Sequence, residues 1–173
     1  MRWILPACLL FVTGCSTDDE PAGFDPDYCP KVADWDPAWA AFEDEVATLV
    51  NERRAEGGVC GSESFGPSAP LAMQAELRCA ARNHSLDMAT RGFFDHENPD
   101  GDGPAERISR AGFEWTAIGE NIAQGQETPD AVMTSFMESP GHCANILEPR
   151  FEFIGVGYVG GRDPIWTQTF GAE

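Results

Sequence analysis

The sequence predicts an α+β domain in which helices flank a largely antiparallel sheet. Three observations lead there. Residues 40–56 and 71–91 repeat apolar side chains at helical spacing. Residues 118–122 alternate as a strand, and residues 153–159 and 165–170 read as two strands joined through Gly160-Gly161. Most of the helical segments precede most of the strands and there is no internal repeat, which is the order of a segregated rather than an alternating chain.

Each element has a local reason. In residues 40–56, Phe42, Val46, Leu49 and Val50 fall on one face, and Gly57-Gly58 ends the run. Residues 60–70 are rich in Gly, Ser and Pro and predict a loop. In residues 71–91, Leu77, Ala81, His84 and Met88 share a face, with Gly92 as the C-terminal stop. Phe93-Phe94-Asp95-His96 follows, and then a turn-rich stretch over residues 98–103. Residues 104–111 form a short helix with Pro104 in its first position and Gly112 after its last. The strand at 118–122 puts Glu120 on the same side as Ile118 and Ile122. Thr128 and Pro129 start a helix that runs to about Glu138, and Ser139-Pro140 repeats the device for a short helix with His142 in its first turn.

Composition sets the outer limits on function. The chain has 173 residues, enough for one domain with a full core. At 42% hydrophobic and 23% charged it is globular in character. With 29 acidic against 11 basic residues, its net charge is −18. That balance excludes nucleic acid as a partner, since nothing could neutralise a run of phosphates, and excludes a polybasic grip on anionic lipid. The acid is uneven: ten acidic residues and one base, Lys31, lie between Asp18 and Glu45.

The N-terminus reads as an export signal. Met1-Arg2 is a short positive start, and residues 3–12 are apolar but too few to span a bilayer. Val12-Thr13-Gly14-Cys15 resembles a bacterial lipobox, in which the cysteine is lipidated and becomes the first mature residue. An ordinary signal peptide with an incidental cysteine is the competing reading. The expected organisation is a lipoprotein signal peptide at 1–14, an acidic flexible tether at 15–27 and a folded domain at 28–173. The expected partner is then a membrane, reached through acyl chains on Cys15, and the expected location is the bacterial cell envelope, at the outer membrane or cell surface. Ser16 is compatible with outer-membrane sorting.

Of six cysteines, Cys8 leaves with the leader and Cys15 takes the lipid. Cys29, Cys60, Cys79 and Cys143 remain, an even number in an exported chain, and imply two disulfides. Spacing alone does not choose among the three connectivities. We expect Cys29–Cys60, clipping the N-terminal segment to the end of the first helix, and Cys79–Cys143, pinning the His142 segment to the helix of His84.

Three histidines, His84, His96 and His142, are the chain's only imidazoles. His96 and His142 both sit at element ends, where functional residues gather. Two imidazoles with a nearby carboxylate suit Zn²⁺ or another divalent cation, and the helix N-terminus at His142 favours the neutral ring a metal needs. Other motifs are weaker. Asn98-x-Asp100-x-Asp102-Gly103 matches half of a calcium loop, but the position of the bidentate Glu is Ser109. Asn83-His84-Ser85 is a glycosylation sequon in mid-helix. The sequence has no G-x-S-x-G, H-E-x-x-H or P-loop.

Seven short motifs occur in order: Ala81-x-x-His84-Ser85-x-Asp87-Met88-Ala89, Phe94-Asp95-His96-x-Asn98-Pro99-x-Gly101, Ala111-Gly112, Gly119-Glu120-Asn121-Ile122-Ala123, Ser139-Pro140-Gly141-His142-x-x-Asn145-Ile146-Leu147, Gly155-Val156-Gly157 and Trp166-Thr167-Gln168-x-Phe170-Gly171. Together they resemble the CAP superfamily of cysteine-rich secretory, antigen 5 and pathogenesis-related-one proteins, also called SCP domains. The resemblance implies a three-layer α-β-α sandwich and a cleft with two histidines and two acidic residues. Carried over by position, the histidines are His96 and His142 and the first glutamate is Glu120. The second glutamate of the eukaryotic pattern is replaced by Ser139, with Glu138 one residue earlier, as in bacterial members. Cys143 stands where bacterial members usually have arginine. His84, Asn121, Glu138 and Ser139 are expected to line the cleft. The resemblance favours a membrane-anchored binding or interaction module whose cleft takes a divalent metal, a small apolar ligand or a protein partner. A metal-dependent hydrolase with His96, Glu120 and His142 as candidate catalytic residues is one alternative, and a disulfide-stapled structural module is another.

Overall fold

The computed structural model describes residues 22–173. The signal peptide, Cys8, Cys15 and the first part of the expected tether lie outside the described residues.

Helix α1 (Pro37–Glu56) starts three residues earlier than the apolar pattern alone requires, because Asp36 caps it through the Ala38 amide and Pro37 fills the first position. The expected loop at 60–70 contains an antiparallel hairpin, β1 (Gly58–Cys60) with β2 (Glu63–Phe65). Strand β3 (Ala72–Met73) takes the first residues of what the pattern assigns to a helix, since both pair in parallel with Phe153 and Ile154. Helix α2 (Ala75–Arg91) then runs to Gly92, whose φ of +71° and amide bond to Met88 close it. Helix α3 (Pro104–Ala111), strand β4 (Ala117–Gln124), helix α4 (Pro129–Glu138), helix α5 (Pro140–Leu147) and strands β5 (Phe153–Val159) and β6 (Ile165–Ala172) complete the order.

The main sheet has the order β3-β5-β6-β4, antiparallel except where β3 joins β5. Its two faces are covered by different helices, giving the expected three layers. On one face, Val46 and Val50 of α1, Phe136 of α4 and Ile146 of α5 pack on Ile154, Val156, Trp166 and Phe170. On the other, Leu77 and Ala80 of α2 and Ile108 of α3 pack with Phe113. Here the period of β5 has a consequence: Gly155 and Gly157 point at α2, and a Cβ on either would lie 2.0 or 2.4 Å from the α2 backbone. The absence of a side chain lets helix and strand touch main chain to main chain. Ser85, fully buried in mid-helix, donates its hydroxyl to the Gly157 carbonyl at 3.0 Å.

Arg54 of α1 is fully buried and has no carboxylate partner among the described residues. It donates instead to the carbonyls of Ala69, Ile146, Glu148 and Phe151, at 2.8–3.2 Å. Two of these lie at the C-terminal end of α5, so one guanidinium satisfies acceptors that a helix end leaves over and fixes that helix against α1.

All four domain cysteines are bridged, but the partners differ from expectation. The bridges are Cys29–Cys79 and Cys60–Cys143, each with a Cα–Cα distance of 5.5 Å. A short 3-10 turn, Cys29–Val32, packs on α2 rather than at the end of α1. Hairpin β1–β2 lies beside α5, which brings Cys60 to Cys143. Folded contacts also begin before residue 28. The Asp25 amide donates to the Arg110 carbonyl at 3.0 Å, and the Phe24 ring rests on Gly112. The end of the expected tether is therefore seated on α3.

Candidate functional site

Glu120 lies on the face of β4 that carries Ile118 and Ile122, as the alternation predicts, and it is 9% exposed. A carboxylate at that depth requires compensation. It receives it from three directions. His96 Nδ1 donates to Oε1 at 2.8 Å. Arg107 Nη2 donates to Oε1 and Oε2 at 3.0 and 2.8 Å, and its Nη1 donates to the Asp102 carbonyl at 2.7 Å. His84 Nε2 stands 3.8 Å from Oε1. Burial alone would raise the Glu120 pKa, but the His96 hydrogen bond and the Arg107 charge outweigh it and hold the carboxyl below the usual carboxylate range.

The three imidazoles are differentiated by their surroundings. His96 is half exposed, and its hydrogen bond to Glu120 raises its pKa. With Nδ1 turned inward, its outer ring nitrogen, Nε2, is left for solvent. His142 is pushed down by burial and then by the nearby His96 charge, which favours its neutral ring. Its ring sits edge-on to Phe136, with centroids 5.2 Å apart. His84 has no exposed surface, and burial lowers its pKa to about 4. It adjoins the cleft from behind, next to Glu120, as a neutral group.

Amide side chains hold His142 near β4. Asn121, on the opposite face of the strand from Glu120, donates to the His142 carbonyl at 3.1 Å and to Gln168 Oε1 at 3.0 Å. Asn145 of α5 donates to the Glu120 carbonyl at 3.2 Å and to Asn121 Oδ1 at 2.9 Å. Asn121 thus acts beneath the cleft as a tie between α5 and the sheet. Ser139 sits at the α4–α5 junction without a side-chain capping bond, contrary to the expected cap, and Glu138 beside it, the last residue of α4, is exposed. Among the described residues, no three His, Cys, Asp or Glu side chains converge as a metal-ligand set. The half calcium loop is an Asx-type turn: Asn98 Oδ1 accepts the amides of Asp100 and Asp102, while Arg91 pairs with Asp100 and Arg110 with Asp102.

The family model of the cysteine-rich secretory protein family, CAP, matches residues 48–170. The chain belongs to this family. It is 39% identical over 131 residues to the uncharacterized protein YkwD of Bacillus subtilis, covering 76% of this chain and 47% of YkwD. It spans less than half the length of the curated relatives it matches. Among solved structures, it is similar to an extracellular SCP-domain protein of Bacillus anthracis, with TM-score 0.68 and 24% identity over 80% of this chain and 44% of that one. An outer surface protein of Borrelia burgdorferi aligns with TM-score 0.62 and 18% identity over 78% and 91% of the two chains. These likenesses establish the CAP fold.

Within this CAP domain, the residue that sequence reasoning missed is Arg107. A signal was present: Arg107 lies beside Ile108 and one turn before Ala111, on the buried side of α3, and a buried cation there needs acceptors to compensate it. Asn145 and Gln168 appear in the motifs, but their part in tying α5 to β4 depends on contacts between distant segments.

Proposed function

We propose that this CAP domain is an exported, lipid-anchored binding module, and that its cleft takes a divalent cation on the imidazoles of His96 and His142. The observation that carries the reading is the His96–Glu120–Arg107 arrangement. A carboxylate that fixes one imidazole nitrogen orients the other outward, which is how outer-shell carboxylates support metal-binding histidines. Both Glu120 oxygens are already engaged by Arg107. Glu120 therefore serves as the support behind His96, where the sequence suggested a ligand. His142, biased toward its neutral form, supplies the second nitrogen. The donor set, two imidazoles with water completing the shell, suits Zn²⁺ or Cu²⁺ better than Ca²⁺ or Mg²⁺. A cation held there would act as a Lewis acid toward a partner's carbonyl or carboxylate group.

Export and anchoring rest on the N-terminal leader with Cys15, on two disulfides in the folded domain, and on relatives described as an extracellular protein and an outer surface protein. Among the described residues no helix is long and apolar enough to cross a membrane. A small apolar ligand or a protein partner at the same cleft fits the binding reading equally. Hydrolysis is the second reading, and one observation favours it: a carboxylate-oriented imidazole with a free outer nitrogen is also the geometry of a general base.

Calorimetric titration of the metal-free mature protein with ZnCl₂ tests the reading. His96→Ala and His142→Ala should each weaken binding by at least tenfold, and Glu120→Gln by about 10–100-fold as an outer-shell partner. Unchanged affinity in both histidine variants removes the cation site. Turnover of an ester or amide substrate that Glu120→Gln abolishes would favour the hydrolase. Cys15→Ser should release the protein from membranes, and retention there would overturn the anchor.

A further inference from the structure

A cavity of about 250 Å³ is lined in part by Arg107, the partner of Glu120. Its walls come from the Cys29 turn, α2, the 98–102 turn and α3. In a chain with net charge −18, four of the eleven basic residues converge here: Lys31, Arg91, Arg107 and Arg110. Asp87, Asp100 and Asp102 also line the cavity, but their charge is directed to the arginines: Arg91 pairs with Asp87 and Asp100, and Arg110 with Asp102. The Lys31 ammonium makes no ion pair among the described residues and rests 5.7 Å above the Tyr28 ring. The Tyr28 hydroxyl lies among the charges of Arg107, Arg110, Asp102 and Asp87.

His84 also lines this cavity. Its side chain has no exposed surface, yet neither ring nitrogen has a hydrogen-bond partner among the described residues. A fully buried imidazole with both nitrogens unsatisfied is costly, and such groups call for a water, an ion or a ligand. The uncommitted groups in this cavity are mainly donors: an imidazole N–H, a phenol O–H and an ammonium. Their complement is a group rich in acceptors.

We propose that this cavity is a second binding site, for a small oxyanion of the carboxylate or phosphate class, held by Lys31, Arg107, the Tyr28 hydroxyl and the His84 imidazole. Lys31 and Arg107 supply charge, while His84 and Tyr28 supply directed donors. The site does not depend on a cation in the cleft. Arg107 is common to both, because its guanidinium lines the cavity and also holds Glu120.

The test titrates metal-free mature protein with inorganic phosphate and, separately, with sodium acetate, followed by ¹H–¹⁵N NMR and calorimetry. Saturable shifts centred on His84, Tyr28 and Lys31 are expected with at least one anion, and whichever saturates identifies the source as phosphate or carboxylate. Lys31→Ala, an exposed change that leaves the core intact, should weaken binding by about tenfold or more, and Tyr28→Phe by several-fold. His84→Phe should abolish it. If that variant fails to fold, the Lys31 and Tyr28 variants decide the matter. His96→Ala should retain the anion. No saturable binding of either anion, unchanged affinity in both Lys31→Ala and Tyr28→Phe, or loss of binding in His96→Ala would each overturn the proposal.

Discussion

Gly157→Ala adds one methyl group where α2 meets β5. The added Cβ would lie 2.4 Å from the Ala81 carbonyl carbon and from the Arg82 nitrogen. Both are helix backbone, so no rotamer change relieves the overlap. Restoring ordinary contact requires α2 to retreat by about 1 Å, against interiors packed to crystal-like density. That movement stretches the 3.0 Å bond from Ser85 to the Gly157 carbonyl and loosens Leu77, Ala81 and Met88, all at most 1% exposed. Overpacking of this kind costs about 1–3 kcal/mol, and the backbone-to-backbone clash places Gly157→Ala at the upper end, about 3 kcal/mol. For a domain of this size that lowers Tm by about 6–12 °C. Urea unfolding followed by circular dichroism should show a lower midpoint at unchanged slope. Gly141→Ala is the control: a Cβ there meets nothing within 4 Å, and its φ is not in the left-handed region. It should be neutral or slightly stabilising. A Gly157→Ala protein within about 0.5 kcal/mol of wild type would refute the contact on which the position of α2, and with it of His84, depends.

Other outcomes can be checked with the same material. His84 has a folded pKa near 4 against an ordinary value of 6.5, so the unfolded chain binds this proton first as pH falls. Its contribution, about 3 kcal/mol, is therefore lost between pH 6.5 and 4. His142 is shifted in the same direction, whereas raised His96 contributes stability that is full below pH 6.5 and lost as pH rises through its folded value. The effect of His84 is read as the difference between wild type and His84→Gln: the variant should lose up to about 1.4 kcal/mol per pH unit of slope across that window, and an identical slope would contradict the assignment. Arg54→Met should destabilise by about 3–5 kcal/mol, since it leaves four carbonyls without their donor, and midpoints in urea measure it. Peptide mapping under non-reducing conditions should recover the Cys29–Cys79 and Cys60–Cys143 pairs, and recovery of a Cys29–Cys60 peptide would reject them.

Much of this molecule is legible from local pattern. The helices with apolar stripes and Gly or Pro punctuation lie close to where the sequence puts them. The alternation around Glu120 correctly turns it toward the face where His96 reaches it. What escapes local reading is long-range. Cys29 pairs with Cys79 because a 3-10 turn settles on α2, and no spacing rule encodes that docking. Ala72 and Met73 carry helix-compatible residues but are recruited by the edge of β5, a tertiary override of propensity. Arg54 looks like a solvent-facing residue of a charged helix end. It is buried because four carbonyls from two distant segments close over it. Phe24 and Asp25 sit in a stretch whose composition reads as linker, yet one ring and one amide seat it on α3. In each case the deciding partner is far away in sequence.

The Asn145 amide on the Glu120 carbonyl has a consequence beyond the cleft. Strand β4 is eight residues long and lies at the rim of the main sheet, where unpaired backbone groups can recruit a strand from another molecule. The opposite rim, β3, is only two residues long. On β4, Asn145 occupies an acceptor that an incoming strand would need, and α5 stands beside it, fastened through Asn121 and Arg54. Both rims are thereby blunted against intermolecular sheet growth. The asparagine pair that ties α5 to β4 would also keep neighbouring copies of the chain from zipping together.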